Sequence, residues 1–140
     1  MTGAYDRVSH ERLIHNLRQK RIPEWVTRYV KSFLSERTTR LSFAGYTSEP
    51  IIIKTGIPQG SALSPILFLY FVYELLDTLQ GHNSSSFGFV DDHNLLTWSQ
   101  TTTANCERLE QMHTECINWA KRHGMTWNPE KYGIIHFTKQ

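Results

Sequence analysis

An α+β fold is predicted from two kinds of pattern that share one chain. Apolar residues recur at helical spacing in four stretches, and strict alternation flanks two candidate turns, Ala44-Gly45 and Asp91-Asp92. Helices mixed with antiparallel hairpins in this way imply a sheet covered by helices on one face. At 140 residues and 39% hydrophobic content, the chain fits one domain, 1–140, with enough apolar matter for a core.

The first helix is expected over Glu11 to Lys20. A second follows Pro23 in "PEWVTRYVKSFLSER", where Trp25, Val26, Tyr29, Val30, Phe33 and Leu34 are expected to form one core-facing stripe. The stretch "TTRLSFAGYTSEPIIIKTG" reads as a hairpin, and "GIPQGSALSP" after it reads as a loop. A helix then starts near Ser64-Pro65 and runs to Leu79, with Gly81 behind it. A loop through "HNSSS" leads to the Asp-Asp hairpin. Thr102 to His123 forms a long amphipathic helix stopped by Gly124, and short strands are expected near Met125 and Ile134. Ser61 and Ser64 read as helix caps.

Composition excludes several functions. A formal charge of +2 is too small to argue for a polyanionic partner, although Arg18, Lys20 and Arg21, and also Arg37 and Arg40, cluster. Cys106 and Cys116 lie ten residues apart in a helical pattern, which suggests neither a disulfide framework nor a Cys-x-x-Cys metal site. The seven histidines lack zinc-ligand spacing. The apolar run "ILFLYFVYELL" is too short for a membrane span, and no signal peptide is visible, so an intracellular chain is expected, in nucleus or cytoplasm. Without a "GxSxG" elbow, a serine hydrolase has no support.

The chemistry-bearing feature is "FGFVDDHNLLTW", Phe87 to Trp98, in which two strands flank adjacent acids. Hairpin turns prefer Asn-Gly or Asp-Gly, whose glycine accepts positive φ. Asp91 beside Asp92 gains no such relief and, at ~5 Å and an effective dielectric of ~20, costs roughly 3 kcal/mol in repulsion. Solvation of an exposed turn offsets that cost in one reading. In the other, the pair offers hard oxygen ligands to a divalent cation such as Mg²⁺ or Mn²⁺.

The segments "GIPQGSALSPILF" from Gly56 and "FVDD" from Phe89, in that order and at domain-like distance, resemble the reverse transcriptases of LINE-type (non-LTR) retrotransposons. "AYDRVSHERLI", "RTTRLSF", "GYTSEP" and "NPEKYGIIHF" are similar to the same family, most of all to its fungal members, so the likeness covers nearly the whole chain. It implies a polymerase palm, an antiparallel sheet with helices packed on one face, and two-metal nucleotidyl transfer to a primer 3′-hydroxyl. Asp91 and Asp92 would then be catalytic metal ligands for Mg²⁺ (or Mn²⁺). Tyr5, in "AYD", would wall off the sugar 2′-hydroxyl, while Gln59 and Gly60 of "GIPQG" would face the incoming nucleotide. Lys131 in "NPEK" would stand near the triphosphate as a catalytic cation. RNA template, DNA primer and deoxynucleoside triphosphates are the implied partners.

The chain departs from the family in one respect. The family pattern "D-x-x-x-A-[FY]-D" places its first metal-binding acid five residues before the aromatic, and counting back from Tyr5 lands one residue before Met1. Asp6 is the second, structural acid of that pattern. Fingers and thumb also fall outside the chain, so an incomplete palm fragment, inactive by itself, is expected. A non-catalytic relic or nucleic-acid-binding module that keeps the palm fold is the alternative. A hydrolase built on Asp91 and Asp92 lacks a third ligand or base in any recognisable motif.

Overall fold

In the computed structural model, which describes residues 1 and 3–137, Ser9 opens the first helix, α1 (His10–Gln19). Its hydroxyl accepts from the Arg12 amide at 3.3 Å, satisfying one of the unpaired donors of the first turn. The second helix, α2 (Glu24–Leu34), follows Pro23 and packs on α1. Four two-residue strands come next: β1 (Thr38–Thr39), β2 (Ser42–Phe43), β3 (Tyr46–Thr47) and β4 (Ile51–Ile52). They pair β1 with β4 and β2 with β3, so the hairpin around Ala44-Gly45 forms as expected, although every residue in its strands is exposed.

The apolar helix α3 (Ser64–Thr78) is the centre of the core. It buries Leu67, Phe68, Phe71, Val72 and Leu75, each worth about 1.5–3 kcal/mol when removed from water. Leu13 and Leu17 of α1 and Val30 and Leu34 of α2 belong to the same cluster. Asn16, buried among them, donates to the Tyr70 and Phe71 carbonyls at 3.2 Å each, so its burial leaves no amide donor stranded. The hairpin β5 (Ser84–Phe89) and β6 (Asp92–Thr97) follows, then α4 (Thr102–His123), capped by the Thr101 hydroxyl and ended at Gly124. A short 3₁₀ turn covers Pro129–Lys131.

The result is an α+β arrangement, as expected, but its strands form three separate two-stranded antiparallel ladders rather than one sheet. Only the β5–β6 ladder carries helices on one face, where α3 and α4 pack. On that face lie Ser84 and Ser86 paired with Thr97 and Leu95; on the other, Phe87, Phe89 and Leu96 are exposed.

Four local expectations fail for identifiable reasons. Trp25 and Tyr29 are 69% and 59% exposed, because Thr27 enters the core in their place and the buried stripe of α2 is turned by roughly 80° at 100° per residue. The serines of "HNSSS" are strand, not loop: Ser86 Oγ donates to the Leu76 carbonyl at 2.8 Å, and Arg108 reaches Ser84 Oγ at 3.2 Å. No strand forms near Met125 or Ile134 among the described residues; Ile134 and Ile135 are exposed and belong to no ladder. Neither Ser61 nor Ser64 caps α3, whose N-cap is Leu63; Ser64 Oγ instead donates to the Pro58 carbonyl.

Candidate functional site

Pairing of Phe89 with Asp92 closes the hairpin with a two-residue loop, Val90-Asp91. The acids therefore sit at the tip, but Val90 is part of the turn rather than of the strand supporting it. It adopts φ 55, a left-handed conformation costly for a β-branched residue. Val90 persists there because its side chain is packed against the core, so the hydrophobic contact over-determines the turn.

Asp91 is held through its backbone. Its carbonyl accepts from the Met1 nitrogen at 2.9 Å and from His93 Nδ1 at 3.2 Å, so neutral His93 carries its proton on Nδ1. The His93 ring meets Trp127 edge-on at 5.3 Å, and Trp127 Nε1 donates to the Cys116 carbonyl at 3.1 Å. A continuous path thus ties the turn to α4. Burial lowers the His93 pKa below its ordinary value, although the Asp91 carbonyl and both carboxylates pull it upward.

Asp91, Asp92 and Lys131 line one small cavity of about 80 Å³, together with Met1, His93 and Trp127. Residues from segments forty positions apart therefore line the same cavity. Lys131 is carried by the 3₁₀ turn, which Asn128 caps by accepting from the Glu130 amide at 3.2 Å.

Tyr5 and Gln59 lie outside that cavity's lining but are joined to each other. The Ile57 amide donates to the Tyr5 carbonyl at 2.9 Å and the Gly56 amide to the Val8 carbonyl at 2.8 Å, stitching the "AYDRV" turn to the start of "GIPQG". Gln59 Nε2 donates to Asp6 Oδ1 at 3.3 Å. Gln59 and Gly60 are exposed, and Gly60 has φ 85 with open space where a Cβ would stand. The Tyr5 ring packs on Phe68 with centroids 5.4 Å apart. Its hydroxyl pKa is pushed upward, by burial first and then by the Asp91 carboxylate.

Hard oxygen donors at Asp91 and Asp92 suit a divalent cation. Among the described residues, however, no three His, Cys, Asp or Glu side chains converge, and the Asp6 carboxylate is turned toward Gln59. The residues present do not complete a metal site. Sequence reasoning missed His93 and Trp127 as the groups that hold the turn; the one available signal was the position of His93 directly after the acid pair.

Comparison with known proteins fits this arrangement: the chain belongs to the reverse transcriptase (RNA-dependent DNA polymerase) family, whose sequence model matches residues 1–140. Within that family it groups with the LINE-type, non-LTR reverse transcriptases. It is 30% identical over 142 residues to the RNA-directed DNA polymerase from mobile element jockey of Drosophila melanogaster, covering 98% of this chain and 15% of that protein. It is also 30% identical over 142 residues to the Pol polyprotein of type-1 retrotransposable element R2 from Popillia japonica, covering 94% of this chain and 22% of that protein. A probable RNA-directed DNA polymerase from transposon BS of Drosophila melanogaster is 29% identical over 136 residues. The chain spans between 15% and 22% of the length of these relatives.

Proposed function

We propose that the chain is the part of a polymerase palm that presents Asp91 and Asp92 to Mg²⁺ or Mn²⁺ in RNA-templated DNA synthesis, and that residues 1–140 alone do not catalyse it. The presence of Asp91, Asp92 and Lys131 in the lining of one cavity supports this reading. Lys131 supplies a positive charge to the same cavity, suited to the phosphates of an incoming deoxynucleoside triphosphate. Tyr5, packed against Phe68, serves as the wall that rejects a 2′-hydroxyl. Gln59 and Gly60 offer a polar amide and an unobstructed backbone to the nucleotide and template.

Inactivity follows from the incomplete ligand set, since two carboxylates leave divalent cations under-neutralised and poorly spaced. The Met1 nitrogen lies 4.0 Å from Asp91 Oδ2, so an aspartate joined to it would stand beside the acid pair. The same shortage favours a second reading, a nucleic-acid-binding relic that keeps the fold.

Primer extension on an RNA template with Mg²⁺ or Mn²⁺ tests the proposal. Residues 1–140 should give no product, whereas a longer polymerase carrying this segment, with aspartate directly before Met1, should extend the primer and lose all activity on Asp91→Ala. In that longer enzyme Tyr5→Ala should admit ribonucleotides. Template-dependent synthesis by residues 1–140, abolished by Asp91→Ala, would overturn the missing-acid argument; a longer enzyme indifferent to Asp91→Ala would favour the relic.

A further inference from the structure

Asp6, the second acid of the "AYD" turn, has a carboxylate that supports neither helix nor strand. The helix behind it is capped by Ser9, and the one polar side chain that Asp6 bonds among the described residues is the Gln59 amide, 3.3 Å away. Both residues are exposed, so this bond adds little to the stability of the fold.

Backbone contacts bring the two side chains together. The Ile57 amide donates to the Tyr5 carbonyl and the Gly56 amide to the Val8 carbonyl, while a Cβ on Gly56 would collide with the backbone of Asp6 itself. Beyond them the Pro58 carbonyl accepts from Ser64 Oγ and from the Ser61 amide, the latter at 3.4 Å. Gln59 therefore sits in a turn anchored on both sides. What remains free is its side chain, whose rotatable bonds are costly to order.

A carboxylate only accepts hydrogen bonds, whereas a glutamine amide has a donor edge and an acceptor edge of nearly the same shape. Asp6 therefore draws Nε2 toward itself and leaves Oε1, which accepts from no described residue, directed away. We propose that Asp6 is a positioning residue for nucleotide binding, fixing the Gln59 amide so that Oε1 faces a hydrogen-bond donor of the bound nucleotide. The inference rests on the polymerase reading, in which Gln59 faces the nucleotide, and deepens it by giving Asp6 a task other than metal binding. Without Asp6 the amide has two orientations to choose from, and the nucleotide binds more weakly because it must impose one.

Two measurements test this. In residues 1–140, Asp6→Ala should move the Gln59 side-chain amide resonances of a nitrogen–proton correlation spectrum toward those of a free glutamine, with the urea midpoint unchanged. Unmoved resonances, or a marked loss of stability, would overturn the inference and leave the polymerase reading intact. In the longer polymerase, Asp6→Ala should raise the KM for deoxynucleoside triphosphates about two- to tenfold, the net worth of one hydrogen bond, with kcat little changed. Asp6→Asn keeps the shape and an acceptor but permits either amide orientation, and should fall between alanine and aspartate. In a Gln59→Ala background the Asp6→Ala change should have no further effect. Additive effects of the two changes, a fall in kcat at constant KM, or an Asp6→Asn enzyme equal to the unsubstituted one would each overturn the assignment. A longer enzyme that extends no primer, with the amide resonances behaving as expected, would instead overturn the polymerase reading and the nucleotide role of Asp6 with it.

Discussion

A Cβ on Gly56 would lie 2.9 Å from the Asp6 carbonyl oxygen, so the "AYD" turn and the "GIPQG" loop touch where no side chain fits between them. Gly56 also has φ 89, which other residues rarely adopt. Gly56→Ala should therefore destabilise the fold by about 2–4 kcal/mol, as backbone strain adds to overpacking. Gly60→Ala isolates the strain, since φ 85 there comes with open space, and should cost less. Urea unfolding of both variants gives the comparison. Equal costs would mean that the close approach to Asp6 carries no energy.

Val90 supplies an inverted substitution order. In a strand interior glycine is worse than alanine by about 0.5–1 kcal/mol, but a first turn position with positive φ favours glycine. Both Val90→Gly and Val90→Ala give up the half-buried side chain, and only glycine releases the left-handed strain of about 1–2 kcal/mol. Val90→Gly should unfold at a higher denaturant concentration than Val90→Ala. The opposite order would show that the turn is unstrained.

Acid should weaken the fold through His123. Its Nδ1 donates to the Trp119 carbonyl at 2.8 Å and its ring stacks on Trp119 at 4.3 Å. Nε2 stands 3.6 Å from Glu74, yet burial outweighs that carboxylate and lowers the imidazole pKa, with Arg12 and Arg122 pushing the same way. Near neutral pH the contact is consequently not an ion pair. Because the folded pKa lies below the unfolded one, the unfolded chain takes the proton first. The contribution is complete above about pH 6.5 and is lost as pH falls through the folded value, with His93 acting in the same sense. Denaturation midpoints at pH 7.5 and pH 5.5 should differ, and His123→Gln should narrow the difference. An unchanged gap in that variant would assign the pH dependence elsewhere.

The two thiols should react at different rates. Burial, aided by Glu115, pushes Cys116 up to about 11, leaving almost no thiolate at pH 8. Cys106 is only half-buried. Iodoacetamide should alkylate Cys106 in the native chain and Cys116 only in denaturant, as read by peptide mass spectrometry. Early labelling of Cys116 would indicate that α4 opens.

Local sequence determined most of the elements. The extents of α1, α3 and α4 were legible because apolar spacing and the stop at Gly124 act within a few residues. Both hairpins and the position of the acid pair were legible for the same reason, and the motifs around Gly56 and Phe89 were distinctive enough to show the family. Tertiary structure decided what each face meets. Periodicity alone put Trp25 and Tyr29 inside, because a helix whose apolar residues cover more than half its circumference has several stripes of similar quality; packing on α1 selected the one that buries Thr27. Nothing near "SSS" revealed that Ser84 and Ser86 would be buried, since their partners Arg108 and the Leu76 carbonyl come from other elements. The shared cavity of Lys131, Asp91 and Asp92, and the support that His93 and Trp127 give the turn, likewise depend on where α4 ends in space. Such contacts are long-range, and no spacing rule along the chain encodes them.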